Sequence, residues 1–194
     1  AMQGSAQGAE AARFIDLMVS SQTGSGKTAA FLLPVLHTLL TQRAQAEAKE
    51  RAEFEQACAE AAAKGEAPPK RPKRKDPTNF RNFKPATPGA LVVCPTRELC
   101  MQIVNEIELF KKYMPGMHVV AVYGGASVGQ QIRELKRGVQ IVVATPGRLI
   151  DLIERKAINL EQIEYVVLDE ADEMLNMGFQ DDIEHILQNT PKRN

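Results

Sequence analysis

Four short apolar runs, each followed by a stretch with helical periodicity, limit what this chain can fold into more than any single residue does. Ala90 to Cys94, His118 to Tyr123, Gln140 to Ala144 and Tyr165 to Leu168 are rich in β-branched residues. A strand with one face in water alternates apolar and polar residues, whereas a strand covered on both faces is apolar almost throughout. Helical patterns occupy Arg97 to Lys112, Val128 to Arg137, Arg148 to Glu154 and Gln180 to Gln188. Strands alternating with helices imply a parallel sheet with helices on both faces. A fifth run, Phe14 to Ser20, precedes these, so the fold expected is a three-layer α/β domain around a mostly parallel sheet of five or more strands. Of the histidines, His118 falls at a strand start, His185 on the last helix and His37 off the apolar stripe of the first; none has a ligand partner nearby in sequence.

Ser21-Gln22-Thr23-Gly24-Ser25-Gly26-Lys27-Thr28 joins the first run to the helix that follows. A strand, a Gly-rich turn and a helix opening with Gly-Lys-Thr form a phosphate-binding loop. Backbone N–H groups of Gln22, Thr23, Gly24, Ser25 and Gly26 can approach an anion, and the helix dipole favours negative charge at the same point. Lys27 supplies a mobile cation for β- and γ-phosphates, and the Thr28 hydroxyl is a ligand for Mg²⁺. The spacing fits the G-x-x-x-x-G-K-[ST] pattern except that Ser21 stands at the first Gly. The bland alternative is a Gly/Ser loop before a helix that starts with Lys.

Past the loop, Phe31, Leu32, Val35, Leu36, Leu39 and Leu40 give the first helix one apolar face, with Pro34 expected to kink it rather than end it. Thr41 to Lys64 favours helix but has little to bury, which predicts a solvated extension. Residues 65–89, rich in Pro, Gly and basic side chains, read as a flexible loop. The formal net charge of zero averages two unlike parts: Lys64 to Pro88 holds eight Lys/Arg against two acids, leaving sixteen against twenty-two elsewhere. A nucleic-acid partner must then be held by placed residues rather than by the overall field. The basic run from Lys70 to Lys75 is a solvated charge cluster, a nuclear-import signal or an auxiliary nucleic-acid contact. Cys58, Cys94 and Cys100 match no metal-ligand spacing, and their odd number suits a reducing compartment. No apolar run is long enough to span a membrane.

Val166-Val167-Leu168-Asp169-Glu170-Ala171-Asp172 is an apolar strand ending in acids. In an open α/β sheet, ligands bind at the carboxyl ends of strands, where the phosphate loop also emerges. Asp169 is expected to hold Mg²⁺, directly or through water, and Glu170 to orient and deprotonate an attacking water. The bland alternative is a pair of acids capping the next helix.

Taken with these two motifs, Pro95-Thr96-Arg97-Glu98-Leu99, Gly124-Gly125 and Thr145-Pro146-Gly147-Arg148 complete a pattern. From about Phe14 to the last residue, apart from 41–89, the chain resembles the first RecA-like domain of a DEAD-box RNA helicase, whose name motif is Asp169-Glu170-Ala171-Asp172. The resemblance implies a RecA-type fold over 13–194, incomplete at its C-terminus and carrying a helical and basic insertion at 41–89. It implies ATP and Mg²⁺ as ligands, with Lys27, Asp169 and Glu170 catalytic, Asp169 meeting Mg²⁺ through water, and Asp172 coupling the nucleotide site to elements outside the chain. It assigns Pro95, Thr96, Arg97, Gly125, Thr145, Gly147 and Arg148 to the phosphates and 2′-hydroxyls of a single RNA strand, bound without regard to sequence. It further implies a second RecA-like domain as partner, a monomer, no membrane, and a nuclear or nucleolar location if the basic run is an import signal, with the cytoplasm as the alternative.

Three features depart from that family. Residues 1–12 read as disordered or as a remnant of cloning and carry no Gln motif with an upstream aromatic to recognise adenine. The Ser-Ala-Thr motif and the arginine fingers of a second domain are not in the sequence; such a finger is worth roughly 10³ to 10⁵ in rate, so the chain alone is expected to hydrolyse ATP very poorly and not to unwind a duplex. The 41–89 stretch is longer than usual. Two rival readings fit the same residues: a non-catalytic RNA- or protein-binding module that kept the fold, and a P-loop ATPase acting on something other than RNA.

Overall fold

The computed structural model describes residues 15–19, 27–71, 85–112 and 116–191. Its strands are β1 (Ile15–Val19), β2 (Ala90–Val93), β3 (Val119–Val122), β4 (Ile141–Ala144) and β5 (Tyr165–Asp169). Its helices are α1 (Lys27–Ala63), α2 (Arg97–Lys111), α3 (Val128–Lys136), α4 (Pro146–Glu154), α5 (Ala171–Asn176) and α6 (Gln180–Gln188). The strands form one sheet in the order β1-β5-β2-β4-β3, and every pairing is parallel. The expected three-layer α/β architecture with a five-stranded parallel sheet is the one observed.

Strand β2 displays the reason for its unbroken apolar sequence. Leu91 and Val93 face a core made with Leu135 of α3, Leu149 and Leu152 of α4, Met174 of α5 and Ile186 of α6. Ala90, Val92 and then Cys94 face the other side, where Leu39 of α1 and Leu99, Cys100, Ile103 and Ile107 of α2 pack. With both faces covered, a polar residue on β2 would be desolvated without a partner.

Helix α1 continues through Pro34 and runs 37 residues, roughly 55 Å at 1.5 Å per residue. Beyond Leu40 it is solvated as expected, held by local pairs such as Arg43 to Glu47 at 3.0 Å. Its end is built by Gly65, whose φ of 69° lets Gly65 N–H reach the Ala62 carbonyl (3.2 Å) and Glu66 N–H the Ala61 carbonyl (2.9 Å). This left-handed cap turns the chain back, and the Arg71 guanidinium lies 5.3 Å from the centre of the Phe54 ring.

The reading of 65–89 as flexible throughout is corrected at its far end. Ala86 donates to the Ala157 carbonyl (3.0 Å) and accepts from Asn159 N–H (2.8 Å), while Gly89 N–H donates to Gln140 and the Gly89 carbonyl accepts from Glu164 N–H. Pro85 and Pro88 remove only their own donors; Ala86 and Gly89 supply the ones this pairing uses. Residues 72–84, with most of the basic run, lie outside the described residues, as do residues 1–12. His118 lies one residue ahead of β3, exposed, with its backbone N–H donating to Gln140 Oε1 (2.6 Å). Among the described residues no helix is long and apolar enough to cross a membrane.

Replacing the fully buried Leu91 by Ala is expected to cost about 2–5 kcal/mol. Replacing Leu109, 70% exposed on α2, should cost less than about 0.5 kcal/mol. Urea unfolding of both variants checks this; equal losses would mean that the sheet core is not where these contacts place it.

Candidate functional site

All five strands point the same way, so their carboxyl ends share one edge of the sheet. Two groups of expected residues lie along it. The first is built where β1 and β5 pair with Val19 opposite Asp169. The segment leaving β1 enters α1 at Lys27, so both sequence motifs belong to adjacent strands. Gln22, Thr23, Gly24, Ser25 and Gly26 lie outside the described residues; Lys27 and Thr28 are described by backbone alone, as the opening residues of α1.

Asp169, the last residue of β5, is 2% exposed. Glu170 follows in the left-handed conformation (φ 51°, ψ 48°), a region that non-glycine residues enter at a cost and that concentrates at functional sites. Asp172 lies in the first turn of α5. Glu170 makes no side-chain capping hydrogen bond to α5, so the bland capping role is not the one this residue fills.

A Mg²⁺ ion suits this donor set. It takes hard oxygen ligands and is usually held by one or two carboxylates together with phosphates and water. Among the described residues no three His, Cys, Asp or Glu side chains are grouped to cage an ion, and such a cage is not what Mg²⁺ requires.

The second group lies at the ends of β2, β3 and β4. Pro95, Arg97, Thr145, Gly147 and Arg148 line one open groove of about 460 Å³ together with Gly124, Pro146 and Phe179. Thr96 caps α2, its hydroxyl accepting from Leu99 N–H at 3.3 Å. Thr145 precedes α4 with Pro146 in its first turn and makes no such bond, so its hydroxyl is not spent on capping. Gly125 has φ 80°, and a Cβ there would come 3.8 Å from Arg97 Nη1. The Arg97 guanidinium sits 5.0 Å from the centre of the Tyr123 ring. Arg148 Nη1 donates to the Ala126 carbonyl (3.1 Å) and to Gln131 Oε1 (2.9 Å). The groove thus presents two arginines and the N-terminal N–H groups of two helices, an arrangement suited to phosphates.

Sequence reasoning missed Tyr123, Gln131 and Phe179. Tyr123 adjoins the Gly124-Gly125 pair and Phe179 closes the Met-Gly-Phe run, but nothing in their spacing announces a neighbour across the groove. Gln131 is an amide in the middle of a helix, and no sequence pattern marks it.

Cys94 directly follows β2, beside both groups. Its thiol shares a hydrogen bond with Cys100, is buried, and lies in the field of Asp169 and Glu170, and these together push it far above the usual thiol range.

A family model described as DEAD/DEAH box helicase matches residues 5–194, beginning ahead of the expected domain start at 13. The chain is 41% identical over 181 residues to a DEAD-box ATP-dependent RNA helicase 52A of Oryza sativa, covering 92% of this chain and 25% of that protein. It is 42% identical over 176 residues to the RNA helicase CrhR of Synechocystis, covering 91% and 27%. It is 40% identical over 177 residues to the ATP-dependent RNA helicase DeaD of Buchnera aphidicola, covering 91% and 22%. Among solved structures, it resembles a hypothetical ATP-dependent RNA helicase from Sulfolobus tokodaii (34% identity, TM-score 0.60, 89% of this chain and 37% of that one). It also resembles the yeast DEAD-box splicing factor Prp28 (31%, 0.60, 90% and 32%). The chain therefore spans about a quarter of the curated relatives it matches. Two of those three relatives are bacterial and lend no support to a nuclear location.

Maleimide labelling of the native chain at pH 8 should modify the half-exposed Cys58 and spare Cys94 and Cys100, with all three reacting after denaturation. Because the folded Cys94 thiol holds its proton more tightly than the unfolded one, its contribution to stability is intact below the ordinary thiol range and declines as pH rises above it. Fast native labelling of Cys94 would contradict its placement.

Proposed function

Since the chain belongs to the DEAD/DEAH box helicase family, we propose that it is the ATP-binding RecA-like unit of an ATP-dependent RNA helicase. The observation that carries this reading is the pairing of Val19 with Asp169, which brings the strand leading to Lys27 beside the strand ending in the two acids.

In this reading Gln22 to Gly26 cradle the phosphates of ATP with their backbone N–H groups, and Lys27 neutralises the β- and γ-phosphates. Thr28 and, through water, Asp169 hold Mg²⁺, which when bound neutralises charge developing on the transferred phosphoryl group. Glu170, which its helix does not use as a side-chain cap, takes the proton of the attacking water at its carboxylate. The Arg97 and Arg148 guanidinium groups, with the N-terminal N–H groups near Thr96, Thr145 and Gly147, grip successive phosphates of one RNA strand, while Pro95 and Gly125 let the strand approach closely. Contacts to phosphate and 2′-hydroxyl carry no base information, so binding is independent of sequence.

The RecA-like unit is assigned to 13–194, with an insertion from 41 that ends ahead of the paired stretch 85–89. We assign the protein to the monomeric state, working with a second RecA-like domain. That domain supplies the arginine fingers and, on closing over ATP and RNA, bends the strand out of its duplex, with Asp172 transmitting the state of the nucleotide. The isolated 194 residues should therefore be a weak ATPase. For location, the cytoplasm is the better-supported proposal, given the bacterial relatives.

Equilibrium binding of magnesium-ATP tests this. A hydrogen bond to a charged group is worth about 1.5–3 kcal/mol, so Lys27→Ala should weaken binding roughly ten- to hundredfold. Unchanged affinity would favour the non-catalytic module. Arg148→Ala should weaken binding of single-stranded RNA by a similar factor for every sequence tried; unchanged RNA affinity would favour an ATPase acting on another substrate.

A further inference from the structure

Gln131 is one of only two buried polar or charged side chains found among the described residues, the other being Asp169. It lies on α3, 5% exposed, and is not itself among the residues expected to meet RNA. What it does touch is Arg148. Its Oε1 accepts from Arg148 Nη1 at 2.9 Å, and its Nε2 donates to the Tyr123 carbonyl at 3.1 Å. The second bond fixes which end of the amide faces the arginine, because only the oxygen accepts.

The consequence lies in the geometry of the guanidinium. Nη1 carries two hydrogens, and both are spent inward, on the Ala126 carbonyl and on Gln131. The N–H groups of Nε and Nη2 have no hydrogen-bond partner among the described residues, and they form the parallel pair that matches two oxygens of one phosphate. We infer that Gln131 is a positioning residue for RNA binding: it holds Arg148 by one edge of its guanidinium so that the other edge is presented to a phosphate. This rests on the RNA-binding reading of the groove given above. An arginine held in one geometry loses little side-chain freedom on binding, whereas an untethered one must be ordered at that moment.

The inference is tested on the whole chain with a fluorescein-labelled single-stranded oligouridylate, comparing wild type, Gln131→Met, Arg148→Ala and the double variant. Gln131→Asn, which keeps the amide but is one methylene too short to reach Arg148, stands in if the Met variant fails to fold. The expected result is that Gln131→Met weakens binding about fivefold or more in the wild-type background and less than twofold when Arg148 is already Ala, because the two residues act through one contact. A structural role would move the melting temperature but not the salt dependence. Loss of one phosphate contact from a single strand should reduce the slope of log K against log salt by about 0.7, and both single variants should show it. An equal loss of affinity in both backgrounds, or no loss from Gln131→Met, would overturn the inference while leaving the RNA reading intact. If Arg148→Ala itself binds RNA as wild type does, the RNA reading of the groove fails and the inference with it.

Discussion

Parallel pairing is the constraint on which the rest depends. A parallel sheet needs crossovers that return each strand to the same starting edge, and the helices that make those crossovers bury both faces. That burial demands the apolar sequences of β2, β4 and β5, and it leaves only the strand ends for polar chemistry. The motif residues lie at strand ends: Asp169 and Glu170 at the end of β5, Pro95 to Arg97 after β2, Gly124 and Gly125 after β3, Thr145 to Arg148 after β4. The order β1-β5-β2-β4-β3 then decides who stands beside whom. The pairs β1-β5 and β2-β4-β3 make two neighbouring stations on one edge, with Cys94 between them, close enough to Asp169 and Glu170 to feel both charges.

The two stations spend strain and hydrogen bonds differently. At the first, Glu170 holds a left-handed conformation within a sheet-to-helix turn, which the burial of Asp169, Ala171 and Met174 around it enforces. At the second, the turn after β3 gathers both arginines, one over the Tyr123 ring and one against Ala126 and Gln131. With a formal net charge of zero over the chain, attraction for a polyanion has to come from such local placement.

Most of the sheet could be read from sequence because burial on both faces writes itself as uninterrupted apolar runs. The motif residues were equally legible, since each sits at a fixed distance from a strand end. What escaped did so for physical reasons. Helix α5 has six residues, under two turns, too few for a period to show. Residues 85–89 look like loop because of their prolines, yet pair through the donors and acceptors of Ala86 and Gly89, which backbone hydrogen bonding does not encode in residue type. Gln131 depends on Arg148, 17 residues away, and on a carbonyl, so neither partner leaves a mark on its neighbours in sequence.

The most direct measurement of the central claim is backbone amide chemical-shift mapping of the chain with magnesium-ADP and, separately, with a single-stranded RNA. If the carboxyl edge of the sheet carries two adjacent stations, the nucleotide should shift amides in 22–28 and 169–172, and the RNA those in 95–97, 124–127 and 145–148. Shifts concentrated instead at the amino ends of the strands, or on the solvated half of α1, would contradict it.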